Sequence, residues 1–393
     1  MYKSIIRPLL FRLSTESIHH IIVKGLRFAG RVPGGRAALC ALFAYRSTRR
    51  PPTRPFDGSL SDPPSGSTPD SSSASPARPV AGQPASSPAC PSSLEREVFG
   101  IRFANPVGMA AGFDKNAECF RELGALGFGF VEVGTVTPQP QSGNPRPRLF
   151  RLVRDRALIN RMGLNNNGME AMARNLQKRR RVVVGVNIGK NTATPNDSAP
   201  DDYLQVFSRL YHYADYFAVN VSCPNVADMT KLQSCDNVAA IVAPLLAFRR
   251  GQEVYRPILL KISPDLSPEQ IDEMVETVAS LALDGIVAAN TTTSREGLTL
   301  PAALVEKIGS GGMSGAPLTA RALATVRRVC EQAQGRFPVI ASGGVMTPRD
   351  AKNMLDAGAA LVQIYTGMIY QGPSFMRRIC KHLKKMAGKA ENK

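Results

Sequence analysis

The sequence predicts an α/β protein: a (β/α)8 barrel of the TIM type carrying an N-terminal helical extension. Three observations predict it. From residue 94 onward, eight apolar, β-rich segments alternate with helical patterns, near 106–110, 128–133, 182–188, 216–221, 258–262, 285–290, 338–342 and 360–364, the rhythm of successive βα units. All eight segments run into polar ends, which is where a barrel collects its binding groups. The 393 residues, with 33 glycines, suffice for one large α/β domain with many tight turns plus an accessory piece. An open doubly wound sheet gives a similar alternation and is the competing architecture.

Residues 1–46 read as short helices. Ile5, Ile6, Leu9, Leu10 and Leu13 recur at helical spacing, and so do Ile18, Ile21, Ile22, Leu26 and Ala29 after a Ser14/Thr15 start signal. The first 50 residues hold ten Lys/Arg against one acid, Glu16, and so carry half of the net charge of +18. Two basic amphipathic helices either pack on the main domain as ordinary core or lie in a bilayer interface. No recognition motif accompanies them, so no nucleic-acid partner is expected. No run of eighteen apolar residues is present to span a bilayer, and the start lacks the pattern of a secretory signal.

Residues 47–93 are rich in Pro, Ser, Ala and Gly with few apolar side chains. Such a stretch cannot bury enough surface to offset its ordering entropy, and a disordered insertion is expected. Residues 94–393 form the barrel domain, opened by a short hairpin at 98–103 around Gly100, with helices clearest at 268–283 and 320–334. The seven cysteines (Cys40, Cys90, Cys119, Cys223, Cys235, Cys330, Cys380) include no C-x-x-C pair, so neither a disulfide framework nor a metal site is expected. The four histidines lie outside the strand-end motifs, which argues against a His-based triad.

The strand ends carry the chemistry. Strand one closes in Ala110-Ala111-Gly112-Phe113-Asp114-Lys115, strand two in Gly134-Thr135, strand three in Asn187-Ile188-Gly189-Lys190-Asn191. Strand four closes in Asn220-Val221-Ser222-Cys223-Pro224-Asn225, five in Lys261, six in Asn290-Thr291-Thr292-Thr293, seven in Ser342-Gly343-Gly344 and eight in Tyr365-Thr366-Gly367. Glycines on the last two strands let backbone amides approach an anionic group, as late barrel loops do for phosphate. The asparagines (Asn160, Asn165, Asn187, Asn220, Asn225, Asn290) offer neutral donors and acceptors to a flat ligand bearing several amides. Lys115, Lys261 and Arg161 supply positive charge; a surface ion pair is the plainer reading of the two lysines.

Six collinear motifs carry a resemblance: Ala-Ala-Gly-Phe-Asp-Lys (110–115), Gly-Asn-Pro-Arg-Pro-Arg-Leu-Phe-Arg (143–151), Asn-Arg-Met-Gly-Leu-Asn (160–165), Asn-Ile-Gly-Lys-Asn (187–191), Asn-Val-Ser-Cys-Pro-Asn (220–225) and Gly-Gly-Met-Ser-Gly-Ala-Pro-Leu (311–318). On these, residues 94–380 resemble the dihydroorotate dehydrogenases. Residues 1–46 are similar to the helical extension that marks the quinone-linked class 2 members. The resemblance implies FMN held by Ala111, Gly112, Phe113, Asp114, Lys115, Thr135, Asn187, Asn220, Lys261, Ala289, Gly315, Gly344, Tyr365 and Thr366. It implies dihydroorotate held by Lys115, Asn160, Arg161, Met162, Gly163, Leu164, Asn220, Asn225, Asn290 and Thr291. Lys115 would pair with the substrate carboxylate and Lys261 would stabilise charge on the reduced flavin. Cys223 would be the base that removes the C5 proton as a hydride leaves C6.

Electrons would pass to a membrane quinone, with His19, Arg151 and Tyr365 as polar contacts for its head group, as a step of de novo pyrimidine (UMP) synthesis. The resemblance further implies a monomer associated peripherally with a lipid bilayer, at the cytoplasmic face of a bacterial inner membrane.

Two departures stand out. Cys223 occupies a position that is usually serine in the quinone-linked class, and resembles the soluble class there. A thiol, with a pKa of about 8.5, deprotonates far more readily than an alcohol. Ala289 stands where threonine is usual, which removes one hydroxyl. The competing functions are a soluble class 1 enzyme using fumarate or NAD, another flavin barrel such as a dihydrouridine synthase, and a catalytically silent barrel serving as a membrane scaffold.

Overall fold

The computed structural model describes residues 2–45, 94–178, 180–224 and 229–390. The low-complexity stretch and Asn225 lie outside the described residues. In chain order the strands are β1 (Arg96–Val98), β2 (Ile101–Phe103), β3 (Val107–Met109), β4 (Phe130–Val136), β5 (Leu149–Leu152), β6 (Ala157–Asn160) and β7 (Val183–Ile188). They continue as β8 (Tyr216–Asn220), β9 (Ile258–Ile262), β10 (Gly285–Ala288), β11 (Gly312–Gly315), β12 (Val339–Ser342) and β13 (Leu361–Ile364).

Eight of them close into a parallel barrel in the order β3, β4, β7, β8, β9, β10, β12, β13. Ile286 of β10 pairs with Leu260 of β9 on one side and Val339 of β12 on the other, and Val362 of β13 pairs with Val107 of β3 to complete the ring. These are the eight segments expected from the sequence, each flanked by helix. Apart from Val183, their residues are all buried, and burial on both faces explains why they read as apolar runs rather than as alternating strands. The expected helices run from Pro268–Ser280, entered through a Ser267/Gln270 capping box, and Thr319–Ala333.

The hairpin around Gly100 plugs the N-terminal end of the barrel. Phe99 and Gly100 both take positive φ, 57° and 72°, as a two-residue hairpin turn demands. Val98 and Phe103 then join Phe130, Tyr216, Leu259, Val287, Ile340 and Leu361 in one inner cluster. The opposite end carries a feature that the sequence reading missed. β5, β6 and β11 form a three-stranded antiparallel sheet built around Leu152, Ala157, Ile159 and Met313.

The extension folds as a π-turn (Tyr2–Ile6) and three helices, α1 (Arg7–Leu10), α2 (Thr15–Arg31) and α3 (Gly35–Phe43). Ser14 caps α2 by accepting the Ser17 N–H, where the start signal was read. α3 was not anticipated. Ile18 and Val23 of α2 are buried, while Ile21 and Phe28 face out, the latter 69% exposed. Ion pairs Arg27–Glu118 and Arg36–Glu122, both 2.9 Å, tie α2 and α3 to the barrel. No helix among the described residues is long and apolar enough to cross a membrane.

Candidate active site

The barrel strands, the antiparallel sheet and α2 enclose one cavity with an empty volume of about 1630 Å³, its mouth included. Lys115 enters from the loop after β3. It is half-buried, and its ammonium donates to Asn165 Oδ1 at 2.8 Å. Burial presses its pKa down to about 8; Arg148 pushes the same way, while Glu16 and Cys223 oppose. Cys223 lies on the cavity wall, 6% exposed, close enough to Lys115 that an ammonium and a thiolate there stabilise each other. Next to it Asn290 donates to Ser222 O (3.1 Å) and Ser222 Oγ (3.0 Å), and Asn160 donates to Gly312 O (3.2 Å). The wall therefore presents one cation, one thiol and several fixed amides.

Beneath this lies a carboxylate with no exposed surface. Glu132 of β4 accepts hydrogen bonds from Asn187 Nδ2 (2.9 Å), Tyr216 Oη (3.1 Å) and Gln363 Nε2 (2.6 Å), and its Oε1 lies 3.8 Å from Lys261 Nζ. The charge orders its neighbours. Asn187 donates downward, so its Oδ1 accepts from Thr135 Oγ1, which in turn accepts from Asn220 Nδ2 at 2.9 Å. Gln363 also donates downward, so its Oε1 is left buried with no hydrogen-bond partner among the described residues, and Gln363 lines the cavity. A buried acceptor without a partner costs stability unless a ligand meets it.

At the far end, backbone dominates. Gly315 and Gly344 take φ of 106° and 67°. A Cβ on Gly344 would stand 2.4 Å from Thr319 Cα, and one on Gly315 2.3 Å from Arg156 O. Only glycine fits at either position. Ser314 Oγ and Thr366 Oγ1 are hydrogen-bonded there at 2.8 Å. Asp114 uses its carboxylate to accept the Glu118 and Cys119 N–H groups (2.7 and 2.8 Å), and burial raises its pKa to about 6.

α2 closes the remaining side. His19 meets Phe113 edge-on at 5.2 Å, and burial, with the charges of Lys115 and His20, drops its pKa to about 4. It is a neutral imidazole at physiological pH. Tyr365 lies 6.0 Å from Phe113, ring to ring, with its pKa pushed up to about 12 by burial. Arg151 stands apart from the cavity lining: its Nη2 donates to Leu13 O (2.9 Å) and Thr15 Oγ1 (3.2 Å), and its guanidinium covers Phe11 at 4.1 Å.

The cavity brings together Ala111, Gly112, Phe113, Asp114, Lys115, Thr135, Asn160, Met162, Gly163, Leu164, Asn220, Cys223, Lys261, Ala289, Asn290, Thr291, Gly315, Gly344, Tyr365, Thr366 and His19. Asn187 sits one layer below it, and Arg161 turns away to bond Ile308 O and Ser310 O while stacking on Phe150. Asn225 lies outside the described residues. Sequence reasoning missed Glu132 and Gln363. Their one signal was a polar residue inside an otherwise apolar strand.

Comparison with known proteins decides the family. The family model described as dihydroorotate dehydrogenase matches residues 93–387. This chain belongs to the dihydroorotate dehydrogenase family. A relative from Christiangramia forsetii, named dihydroorotate dehydrogenase (quinone), is 42% identical over 96% of this chain and 97% of its own. One of the same name from Thermosynechococcus vestitus is 50% identical over 74% and 80%. Among solved structures, ligand-free DHODH from Eimeria tenella superposes with a TM-score of 0.72 at 37% identity, covering 76% of this chain and 89% of that one. The same organism's DHODH in complex with ferulenol gives 0.69 at 36%, covering 76% and 85%.

Proposed function

We propose that this dihydroorotate dehydrogenase oxidises dihydroorotate to orotate on FMN and hands the electrons to a membrane quinone, in pyrimidine synthesis. What carries the reading is the shared cavity, with Lys115, Cys223 and the asparagines on one side and His19 of α2 on the other.

The residues fit a flavin mononucleotide. Gly315 and Gly344 line the cavity with backbone and no side chain, which suits a phosphate met by main-chain amides. At the floor, Lys261 and the partnerless Gln363 Oε1 suit a ring edge that carries both carbonyls and an N–H. When bound, FMN supplies two-electron acceptance from the donor and electron delivery to a quinone.

Every other part is played by the chain. The Lys115 ammonium binds the donor carboxylate, and Asn160, Asn220 and Asn290 fix its ring amides. Cys223, as thiolate beside the Lys115 charge, takes the C5 proton. The antiparallel sheet covers the mouth and excludes water. His19, neutral, and Tyr365 offer hydrogen bonds to a quinone carbonyl, while Arg151 holds the corner between α1 and α2.

Cys223 favours a soluble, fumarate-linked reading. The extension favours the quinone: Ile5, Leu9, Ile21, Phe28, Val32 and Leu42 are exposed among Lys and Arg, the makeup of a helix set lying in an anionic bilayer surface, such as the cytoplasmic face of a bacterial inner membrane. The test is anaerobic: dihydroorotate added to the purified flavoprotein should bleach the flavin, with one orotate formed per flavin reduced. Unbleached flavin in the presence of saturating dihydroorotate would reject the assignment.

A further inference from the structure

Glu16 is the single acid of the first 50 residues. Its carboxylate is nearly enclosed, on the wall of the cavity. It accepts from Arg148 Nη2 (2.8 Å), from Arg148 Nε (3.3 Å to each oxygen) and from Arg146 Nη2 (3.1 Å), and lies 3.8 Å from His20 Nε2.

The other edge of the Arg148 guanidinium donates from Nη1 to Ser142 O (2.6 Å) and Asn144 O (2.9 Å). That loop grips the donor wall. Asn144 N–H donates to Met162 O (3.1 Å), Arg161 N–H to Arg148 O (2.8 Å), and Gln141 Nε2 to Gly163 O and Leu164 O (3.0 and 3.1 Å). An unbroken chain of hydrogen bonds therefore runs from α2, which also presents His19, to residues 161–164.

We propose that Glu16 is a positioning residue: by clamping Arg148 it lets the seating of α2 against the barrel set the shape and charge of the dihydroorotate pocket. The coupling has two components. Geometrically, Glu16 fixes the planar guanidinium whose other edge holds the 142–144 carbonyls. Electrostatically, the groups facing Lys115 are Arg148, Glu16, Cys223 and His19, and Glu16 is the acid that offsets Arg148. Without it the Lys115 ammonium faces an uncompensated guanidinium and releases its proton more readily. Glu16 acts through Arg148 and Lys115, which makes it a positioning residue rather than a catalytic one.

The proposal rests on the reading that Lys115 holds the donor carboxylate, and the experiment separates the two. Steady-state kinetics on the flavin-loaded full chain are measured against pH for Glu16→Gln, Glu16→Asp and Lys115→Met. Glu16→Gln is expected to raise KM for dihydroorotate about ten-fold at neutral pH, with kcat changed far less. The pH above which KM climbs should also move downward. Glu16→Asp should recover most of both effects.

If Glu16→Gln leaves KM and its pH profile unchanged, or lowers kcat alone, the proposal is overturned. If Lys115→Met leaves KM unchanged, the donor reading itself has failed, whatever Glu16 does. Should Glu16→Gln not yield folded flavoprotein, Arg148→Lys keeps the charge but loses the fork, and must raise KM without moving the pH limb. An unchanged KM there also overturns the proposal.

Discussion

Replacing Glu132 by glutamine tests the barrel floor most sharply. The substitution keeps the shape and removes one charge from a pair whose side chains are 7% and 0% exposed, Lys261 and Glu132. At their separation of 3.8 Å, an effective dielectric of about 20 gives an attraction of about 4 kcal/mol. Breaking one partner of a buried pair costs about 3–5 kcal/mol. The two figures agree.

Hydrogen bonding adds to the loss. Glu132 accepts from Asn187, Tyr216 and Gln363, and an amide can accept on one atom only, so it forces Gln363 to turn its –NH2 toward the cavity. Urea unfolding of the flavoprotein, followed by circular dichroism, should show Glu132→Gln destabilised by about 3–5 kcal/mol. Adding Lys261→Met should restore part of that, because the orphaned cation is gone. A loss below about 1 kcal/mol, the worth of an exposed pair, would refute the reasoning.

Three further predictions follow from the site. With a Lys115 pKa of about 8, KM for dihydroorotate should be flat below that pH and rise above it. The same group should favour the folded state increasingly from about 8 to 10.5, because there the unfolded chain still binds a proton that the folded one has released. Steady-state measurement of the first and pH-dependent unfolding of the second should show KM and stability both climbing above about pH 8, and a KM that stays flat to pH 10 would contradict the assignment. Cys223→Ser should slow flavin reduction by dihydroorotate at neutral pH by about 100-fold, the scale of a lost general base, and shift the rate profile to higher pH; an unchanged rate and profile would remove Cys223 from that role. His19, with a pKa near 4, should leave the quinone-dependent half-reaction independent of its titration between pH 5.5 and 8. His19→Ala should raise the quinone KM while flavin reduction by dihydroorotate proceeds as before, and equal damage to both half-reactions would contradict the placement.

The barrel was legible because its strands are buried on both faces and read as apolar runs, each ending in polar residues that loop solubility does not explain. The Phe99–Gly100 turn and the Ser14 cap were legible because each depends on a local geometry that few residues satisfy. The antiparallel sheet was not. β5 and β6 are four residues each and β11 is Gly312–Gly315, too short or too glycine-rich for periodicity to register, and β11 pairs with β6 across about 150 residues. α3 was missed because it is nine residues long and starts from Gly34 with no side-chain cap, so neither a start signal nor a long period marks it.

At the site, strand-end residues came together because a barrel superposes all eight ends in space. Glu132 and Gln363 escaped because their importance lies in one another: a buried carboxylate and the amide that it orients, 231 positions apart. Arg161 and Arg151 look like binding residues by type, yet their guanidiniums serve backbone carbonyls of neighbouring loops.

The central claim is that electrons from dihydroorotate leave for a quinone. Orotate formation by the purified flavoprotein, measured with a short-chain quinone, fumarate or NAD as the sole acceptor, tests it directly. The account predicts turnover with the quinone, lost when residues 1–45 are removed, and little with the other two. Fumarate or NAD outpacing the quinone would contradict it.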